Sequence, residues 1–178
     1  MSFYKSATEI GEKLVGKHNV FRFGFNWSPM YRRSTARVTE VSKDLSHIKI
    51  KLPISWKNRN YANSIFGGSM FSAVDPIPMI QLIGILGDEY VVWDKSAQVR
   101  FRRPAKEHLY ARFEITEDEV AEIKDKVALQ QEVEIERTTQ LTNRAGEVVF
   151  CEIQKTIYIA DKAYYKQKRR QRESKQAQ

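Results

Sequence analysis

The sequence has few of the residues that carry metal or redox chemistry. Cys151 is the only cysteine among 178 residues, which excludes an internal disulfide bond and a metal cage built on cysteine. The three histidines, His18, His47 and His108, are scattered along the chain, and no two have the spacing of metal ligands. We therefore expect no metal site and no cofactor of the chain's own.

Long hydrophobic runs are also missing. The longest, residues 77–86, is too short to cross a membrane. The first 18 residues mix charged and apolar side chains and contain no apolar stretch typical of a signal peptide. These patterns predict a chain with no transmembrane segment, and with a single cysteine a cytoplasmic location is the simplest interpretation.

Acidic residues are scarce at the C-terminus, and the basic charge is concentrated there. Residues 162–178 contain seven Lys or Arg and one Glu, a net +6 out of the +8 of the whole chain. We expect one domain over residues 1–161 and a basic tail over 162–178 that forms a solvated helix or a frayed end. Attraction of the tail to nucleic acid, a membrane surface or phosphate-bearing ligands is an alternative. The body lacks a basic face interleaved with aromatics, so no nucleic-acid partner is expected.

Hydrophobic periodicity indicates an α+β domain. It predicts an amphipathic helix over residues 4–16, strands over 33–42 and 47–54, and an apolar helix over about 67–86. After that helix the pattern predicts only strands, four of them, with a hairpin turn at Gly146. An antiparallel sheet that curls around one apolar helix would bury that helix on several sides. This is the hotdog architecture, one candidate among α+β folds.

The segment from Asn60 to Asp75 resembles a motif of the hotdog-fold acyl-CoA thioesterases of the phenylacetate-pathway type. Members of that family carry an Asn, six residues later a His-Gly-Gly, and an acidic residue nine positions after the His. Here Asn60, Phe66-Gly67-Gly68 and Asp75 have the same spacings. Residues 99–115, with Arg103-Pro104, resemble the family's aromatic-x-Arg-Pro stretch that leads into a long strand. The resemblance covers roughly residues 33–159 and implies the hotdog fold.

The resemblance also implies an activity, the hydrolysis of an acyl-CoA to free acid and CoA. Asp75 would act as base or nucleophile, the amides of Gly67 and Gly68 would form an oxyanion hole, and Asn60 would orient the thioester carbonyl or a water. Coenzyme A would enter as part of the substrate, and the apolar helix favours a medium or long fatty acyl chain. Further positions expected to contact substrate are Phe66, Ser69, Asn63, Asp94 and Arg103.

In the family, the acid and the glycine amide that meet one substrate come from different subunits. The resemblance therefore implies a homodimer, or a dimer of dimers, with composite sites.

Two departures from the family pattern matter. Phe66 stands where the family has His and offers no proton or donor, so any oxyanion contact there must come from the backbone. This change favours an alternative function, a non-catalytic protein that binds acyl-CoA or fatty acid. Pro76 and Pro78 follow Asp75 closely and predict a kink or restart of the helix beside it.

Overall fold

The structure is a computed structural model that describes residues 16–176. Six strands form one sheet, in chain order β1 Arg37–Val41, β2 His47–Leu52, β3 Tyr90–Phe101, β4 Leu109–Glu114, β5 Glu132–Thr142 and β6 Val149–Asp161. Six helices accompany them: α1 Lys17–Trp27, α2 Pro29–Ser34, α3 Gly67–Val74, α4 Pro76–Leu86, α5 Glu117–Gln130 and α6 Lys162–Gln176.

The sheet has the strand order β1-β2-β4-β5-β6-β3, and every neighbouring pair is antiparallel. The inward residues alternate along the strands, as in β2, where Ile48, Ile50 and Leu52 are buried. The sheet packs this face against α3 and α4. The predicted α+β class and the antiparallel sheet around one central helical segment are confirmed, while β1 begins at Arg37 and not at residue 33.

The central helical segment is broken beside Asp75, where Pro76 and Pro78 predict a break. Helix α3 ends at Val74 and α4 begins at Pro76, so Asp75 lies at the junction. Pro76 and Pro78 have no N–H to donate to the preceding turn. Among the described residues, Gly67–Leu86 is also the one stretch long and apolar enough to span a membrane, but it forms the core of this domain.

The expectation that only strands follow residue 86 is wrong, because α5 lies between β4 and β5. Its start is a capping box in which the Thr116 side chain accepts from the Glu119 amide and the Glu119 carboxylate accepts from the Thr116 amide. Its buried residues, Ile123 and Val127, are four apart and lie on one face.

Helices also lie at both ends of the described residues. Helices α1 and α2, which the sequence did not predict, pack against β1 and α3, with Phe21, Phe25 and Tyr31 in the core. The predicted helix over residues 4–16 lies outside the described residues except for Gly16, which directly precedes α1. The basic tail is helical over Lys162–Gln176, and Lys168 pairs with Glu132 of β5.

Candidate functional site

A cavity of about 510 Å³ lies beside the junction of α3 and α4. Gly68, Ser69, Ser72 and Asp75 line it from the central helical segment. The opposite side is formed mainly by α2 and by the loop before α3, with Met30, Arg33, Ser34, Lys57 and Phe66. We call this space the Asp75 cavity. It brings together four residues singled out from the sequence: Asp75, Gly68, Ser69 and Phe66.

Asp75 is held by a lysine from the sheet. The Lys155 ammonium lies 2.8 Å from Asp75 Oδ1 and also donates to the main-chain oxygen of Asp75. Lys155 itself is only 1% exposed, whereas the Asp75 side chain is 40% exposed. One oxygen of the carboxylate, Oδ1, is therefore held by Lys155, while Oδ2 has no hydrogen-bond partner within residues 16–176.

Asp94 completes a cluster of three charges. Its Oδ2 lies 2.7 Å from the Lys155 ammonium, on which Asp75 also converges. The pairing of β3 with β6 shifts register between Asp94 and Ser96, which marks a bulge at Lys95, and bulges turn neighbouring side chains. Asp94 Oδ1 is buried and has no partner among the described residues. Asp94 is thus linked to Asp75 through a bridging lysine.

Lys155 is the site residue that sequence reasoning missed, although a signal was present. In β6 the buried positions alternate, with Cys151, Ile153, Ile157 and Ile159 on the inward face. Lys155 occupies an inward position of the same series. By alternation, position 155 belongs to the core, and a charged residue there requires a partner of opposite charge. Asp75, the carboxylate within the apolar helical segment, is that partner.

The two glycines that open α3 are crowded by aromatic rings. A Cβ atom at Gly67 would lie 2.7 Å from the Phe101 ring, and one at Gly68 would lie 2.3 Å from the Phe66 ring. A side chain at either position would therefore have to displace one of these exposed rings. The N–H groups of the two glycines open the helix and have no acceptor inside it, so they remain available to an oxygen placed at the start of α3.

Three of the residues singled out from the sequence lie away from the Asp75 cavity. The side-chain oxygen of Asn60 accepts from the amides of Ala62 and Ser64 and so closes a loop. Asn63 lies in the same loop in a left-handed conformation with φ 56°. Arg103 is exposed after the end of β3, and its amide approaches Phe150 O.

Other reactive side chains near the core are held in inert states. Burial raises the pKa of the Cys151 thiol to about 11, so this cysteine is protonated at neutral pH and is a poor nucleophile. Burial likewise raises the pKa of Tyr31, although nearby Arg37 opposes the rise. The Tyr31 hydroxyl donates to Ala73 O at 3.0 Å and thereby fixes α2 against the end of α3.

An apolar groove of about 430 Å³ lies next to the Asp75 cavity, between α1 and α4. Met30 and Pro76 line both spaces, so the two are adjacent. The groove walls are almost entirely apolar and include Phe21, Phe25, Met79, Ile80 and Ile83. Gly24 of α1 also lines it, and a Cβ atom at Gly24 would meet nothing within 4 Å.

Comparison with known proteins gives a family and a fold. Residues 16–159 match the family model described as Domain of unknown function (DUF4442). The comparison with curated proteins finds no match to this chain.

Solved structures resemble the chain over most of its length. A Pseudomonas aeruginosa protein described as a probable thioesterase has a TM-score of 0.64 at 20% identity, covering 89% of this chain and 95% of that one. A Haemophilus influenzae thioesterase has a TM-score of 0.51 at 9% identity, covering 90% and 92%. A hypothetical thioesterase from Streptococcus pneumoniae TIGR4, solved with coenzyme A, has a TM-score of 0.50 at 14% identity, covering 71% and 86%. These similarities confirm the hotdog fold.

Proposed function

We propose that this chain, which belongs to the family described as Domain of unknown function (DUF4442), hydrolyses an acyl-CoA thioester to a free acid and CoA. The observation that carries the proposal is the position of Asp75. Its carboxylate is anchored through one oxygen and free through the other, beside a cavity that adjoins an apolar groove. The fold shared with proteins described as thioesterases supports the same activity.

Asp75 acts as the base or the nucleophile. As a base, its free oxygen takes a proton from water while the water oxygen attacks the thioester carbon. The carbonyl oxygen becomes an oxyanion, and the amides of Gly67 and Gly68 stabilise it. When the carbon–sulfur bond breaks, the CoA sulfur leaves and receives the proton from Asp75. Phe66 provides no side-chain donor in this scheme.

The spacing along the helix supports a site composed of two chains. Gly68 and Asp75 are seven residues apart, which is about 10 Å along the helical axis. A carbonyl bound to the Gly68 amide therefore lies too far from Asp75 of the same chain for direct attack. We propose a homodimer in which the carbonyl is held by the glycine amides of one copy and is attacked through Asp75 of the other.

Strand β3 offers the surface for this dimer. It is an edge strand of 12 residues that pairs with β6 alone, so one row of its backbone groups is unpaired. Trp93 and Phe101, 55% and 58% exposed, project from it. A second copy that adds its own β3 would extend the sheet and bring together two broken helical segments.

The substrate we propose has a medium or long fatty acyl chain. With the thioester in the Asp75 cavity, the chain passes Met30 and Pro76 and enters the apolar groove. Arg33 and Lys57 line the cavity and are better placed than Arg103 for the phosphates of CoA. Asn60 keeps a supporting role, since it shapes the loop that leads to Phe66.

The first test is thiol release from acyl-CoAs of graded chain length, measured on wild type and Asp75→Asn. Loss of a general base lowers kcat by about 10²–10⁴-fold, so we expect turnover in wild type and near-complete loss in the variant. Asp125→Asn is the matched control, because Asp125 is exposed on α5, and its turnover should equal that of wild type.

Ligand binding separates hydrolysis from the alternative function. Lost turnover with retained acyl-CoA binding in Asp75→Asn supports the enzyme. Binding without turnover in wild type and variant alike overturns the proposal in favour of a non-catalytic acyl-CoA or fatty-acid binding protein, which the covering of Gly68 by the Phe66 ring would then explain.

A further inference from the structure

Lys155 has an unusual position for a charged residue. It lies in β6 between Ile153 and Ile157, both fully buried, and faces the same side of the sheet. An unpaired ammonium there would cost several kcal/mol, so its ionic partners decide whether the strand can hold it.

The Lys155 ammonium has three N–H groups and three oxygen partners. These are Asp75 Oδ1 at 2.8 Å, Asp94 Oδ2 at 2.7 Å and the main-chain oxygen of Asp75. An ammonium donates three hydrogen bonds and accepts none. All its donors are therefore used, and its direction in the core is fixed.

This arrangement restricts Asp75 more than an ordinary ion pair does. One ammonium holds both the carboxylate and the backbone of the same residue, at the point where the central helix is broken. Rotation of the Asp75 side chain would break the contact with Oδ1. The carboxylate that lines the Asp75 cavity is consequently held in one orientation.

We propose that Lys155 is the positioning residue for Asp75 and that Asp94, on the other side of the ammonium, sets the charge of the cluster. The inference rests on the proposed thioester hydrolysis, since it assigns a role within that reaction. Lys155 touches no substrate and acts through the orientation and the electrostatic surroundings of the Asp75 carboxylate.

The charged groups around Asp75 come from four elements. Lys155 of β6 and Asp94 of β3 form the cluster, while Arg33 of α2 and Lys57 of the following loop region line the same cavity. With both carboxylates ionised, the cluster carries a net charge of −1. Asp94→Asn brings it to zero, Lys155→Met to −2, and the double variant back to −1 but without the cation beside Asp75.

The test measures how kcat/KM depends on pH in these four proteins. The pH at which kcat/KM falls to half on the acid side should rise in the order Asp94→Asn, wild type, the double variant, Lys155→Met. Removing a nearby cation favours the protonated carboxylate, and removing a nearby anion disfavours it. A residue that only fills space would leave all four values equal, and equality or any other order overturns the inference.

A split between kcat and KM gives a second readout. Misplacement of a reacting group by about 1 Å costs about 100-fold in rate, so Lys155→Met should lower kcat by about 10- to 100-fold with little change in KM. Lys155→Met could fail to fold because two carboxylates then lack their cation. In that case the double variant and Asp94→Asn still test the inference, since their acid-side midpoints of kcat/KM should lie above and below that of wild type.

A carboxyl ¹³C NMR titration separates this inference from the proposed function. The Asp75 signal, assigned by its absence in Asp75→Asn, should follow the same order of midpoints without any substrate. If the Asp75 midpoints follow the predicted order by NMR but no thioester is hydrolysed, the coupling of Asp75 to Lys155 and Asp94 is retained and the proposed activity is rejected. If thioesters are hydrolysed but neither the pH dependence of kcat/KM nor the NMR titration shows the predicted order of midpoints, the positioning role of Lys155 is rejected.

Discussion

At the scale of single residues, the question is why an apolar helical segment carries a carboxylate. Asp75 could be singled out from its spacing to Asn60 and the two glycines, because spacing along a chain is visible in one dimension. Its partner, Lys155, is 80 positions away, and only the packing of β6 under the helical segment brings the two together. Asn60 shows the converse, since its matched spacing does not place it on the Asp75 cavity.

Gly24 provides a test of the acyl groove. Gly24→Leu adds a side chain into open space in the groove, and because leucine is a better helix former, α1 should not be weakened. Acyl chains long enough to reach position 24 should lose about fourfold in kcat/KM for each methylene excluded, from about 0.8 kcal/mol per buried methylene.

The control for Gly24→Leu is Arg22→Leu, which adds leucine to the same helix outside the groove. Its chain-length profile, measured by thiol release, should match that of wild type. A Gly24→Leu enzyme with an unchanged profile would mean that the acyl chain lies elsewhere.

At the scale of elements, helices were harder to predict than strands. Burial alternates along β2, β4 and most of β6. In contrast, α5 was interpreted as strand, although Thr116 and Glu119 form a capping box and the buried residues have helical spacing. The basic C-terminal helix, α6, was predicted to be solvated or frayed. Its docking depends on contacts with β5 and β6 that charge composition does not reveal.

The docking of α6 should depend on pH. The Lys168 ammonium lies 2.6 Å from Glu132 Oε1, and hydrogen bonds from Lys168 and from Tyr158 lower the pKa of Glu132 below 4.5. A lowered folded-state pKa contributes stability above pH 4.5 that is lost as the pH falls through the folded value. Lys168→Met should therefore destabilise the protein by about 0.5–1 kcal/mol at pH 7.

Urea unfolding of wild type and Lys168→Met at pH 7 and pH 3 measures this effect. The difference between the two proteins should shrink at pH 3, where Glu132 is protonated. Lys166→Met removes an exposed lysine of the same helix and should have little effect at either pH. A Lys168→Met difference that is the same at both pH values would show that the ion pair does not hold α6.

At the scale of the whole molecule, the free edge of β3 is the surface that remains to be explained. The other edge, β1, has five residues and is accompanied by α1. An exposed edge of 12 residues is a template for pairing with another chain, and the hydrolytic scheme needs a second Asp75 close to the glycine amides.

Light scattering tests the dimer directly. Wild type should have twice the 20.8 kDa mass of one chain. Ala97→Lys, in the middle of β3, should shift the mass towards that of one chain, because an edge lysine opposes strand pairing. Thr39→Lys makes the same type of change on β1 and should remain dimeric. Single-chain mass in wild type, or equal dissociation of both variants, would reject this interface.

Local sequence patterns were sufficient to predict the α+β class, the broken central helix and the candidate acid. Each of these follows from local rules, namely side-chain alternation, the missing proline N–H and spacing within one segment. The folded structure was needed to show that Lys155 holds Asp75, that Asp94 shares this lysine, and that α1 helps to form an apolar groove beside the cavity. Those contacts join residues from separate strands and helices, and their formation depends on sheet order and register, which no local pattern encodes.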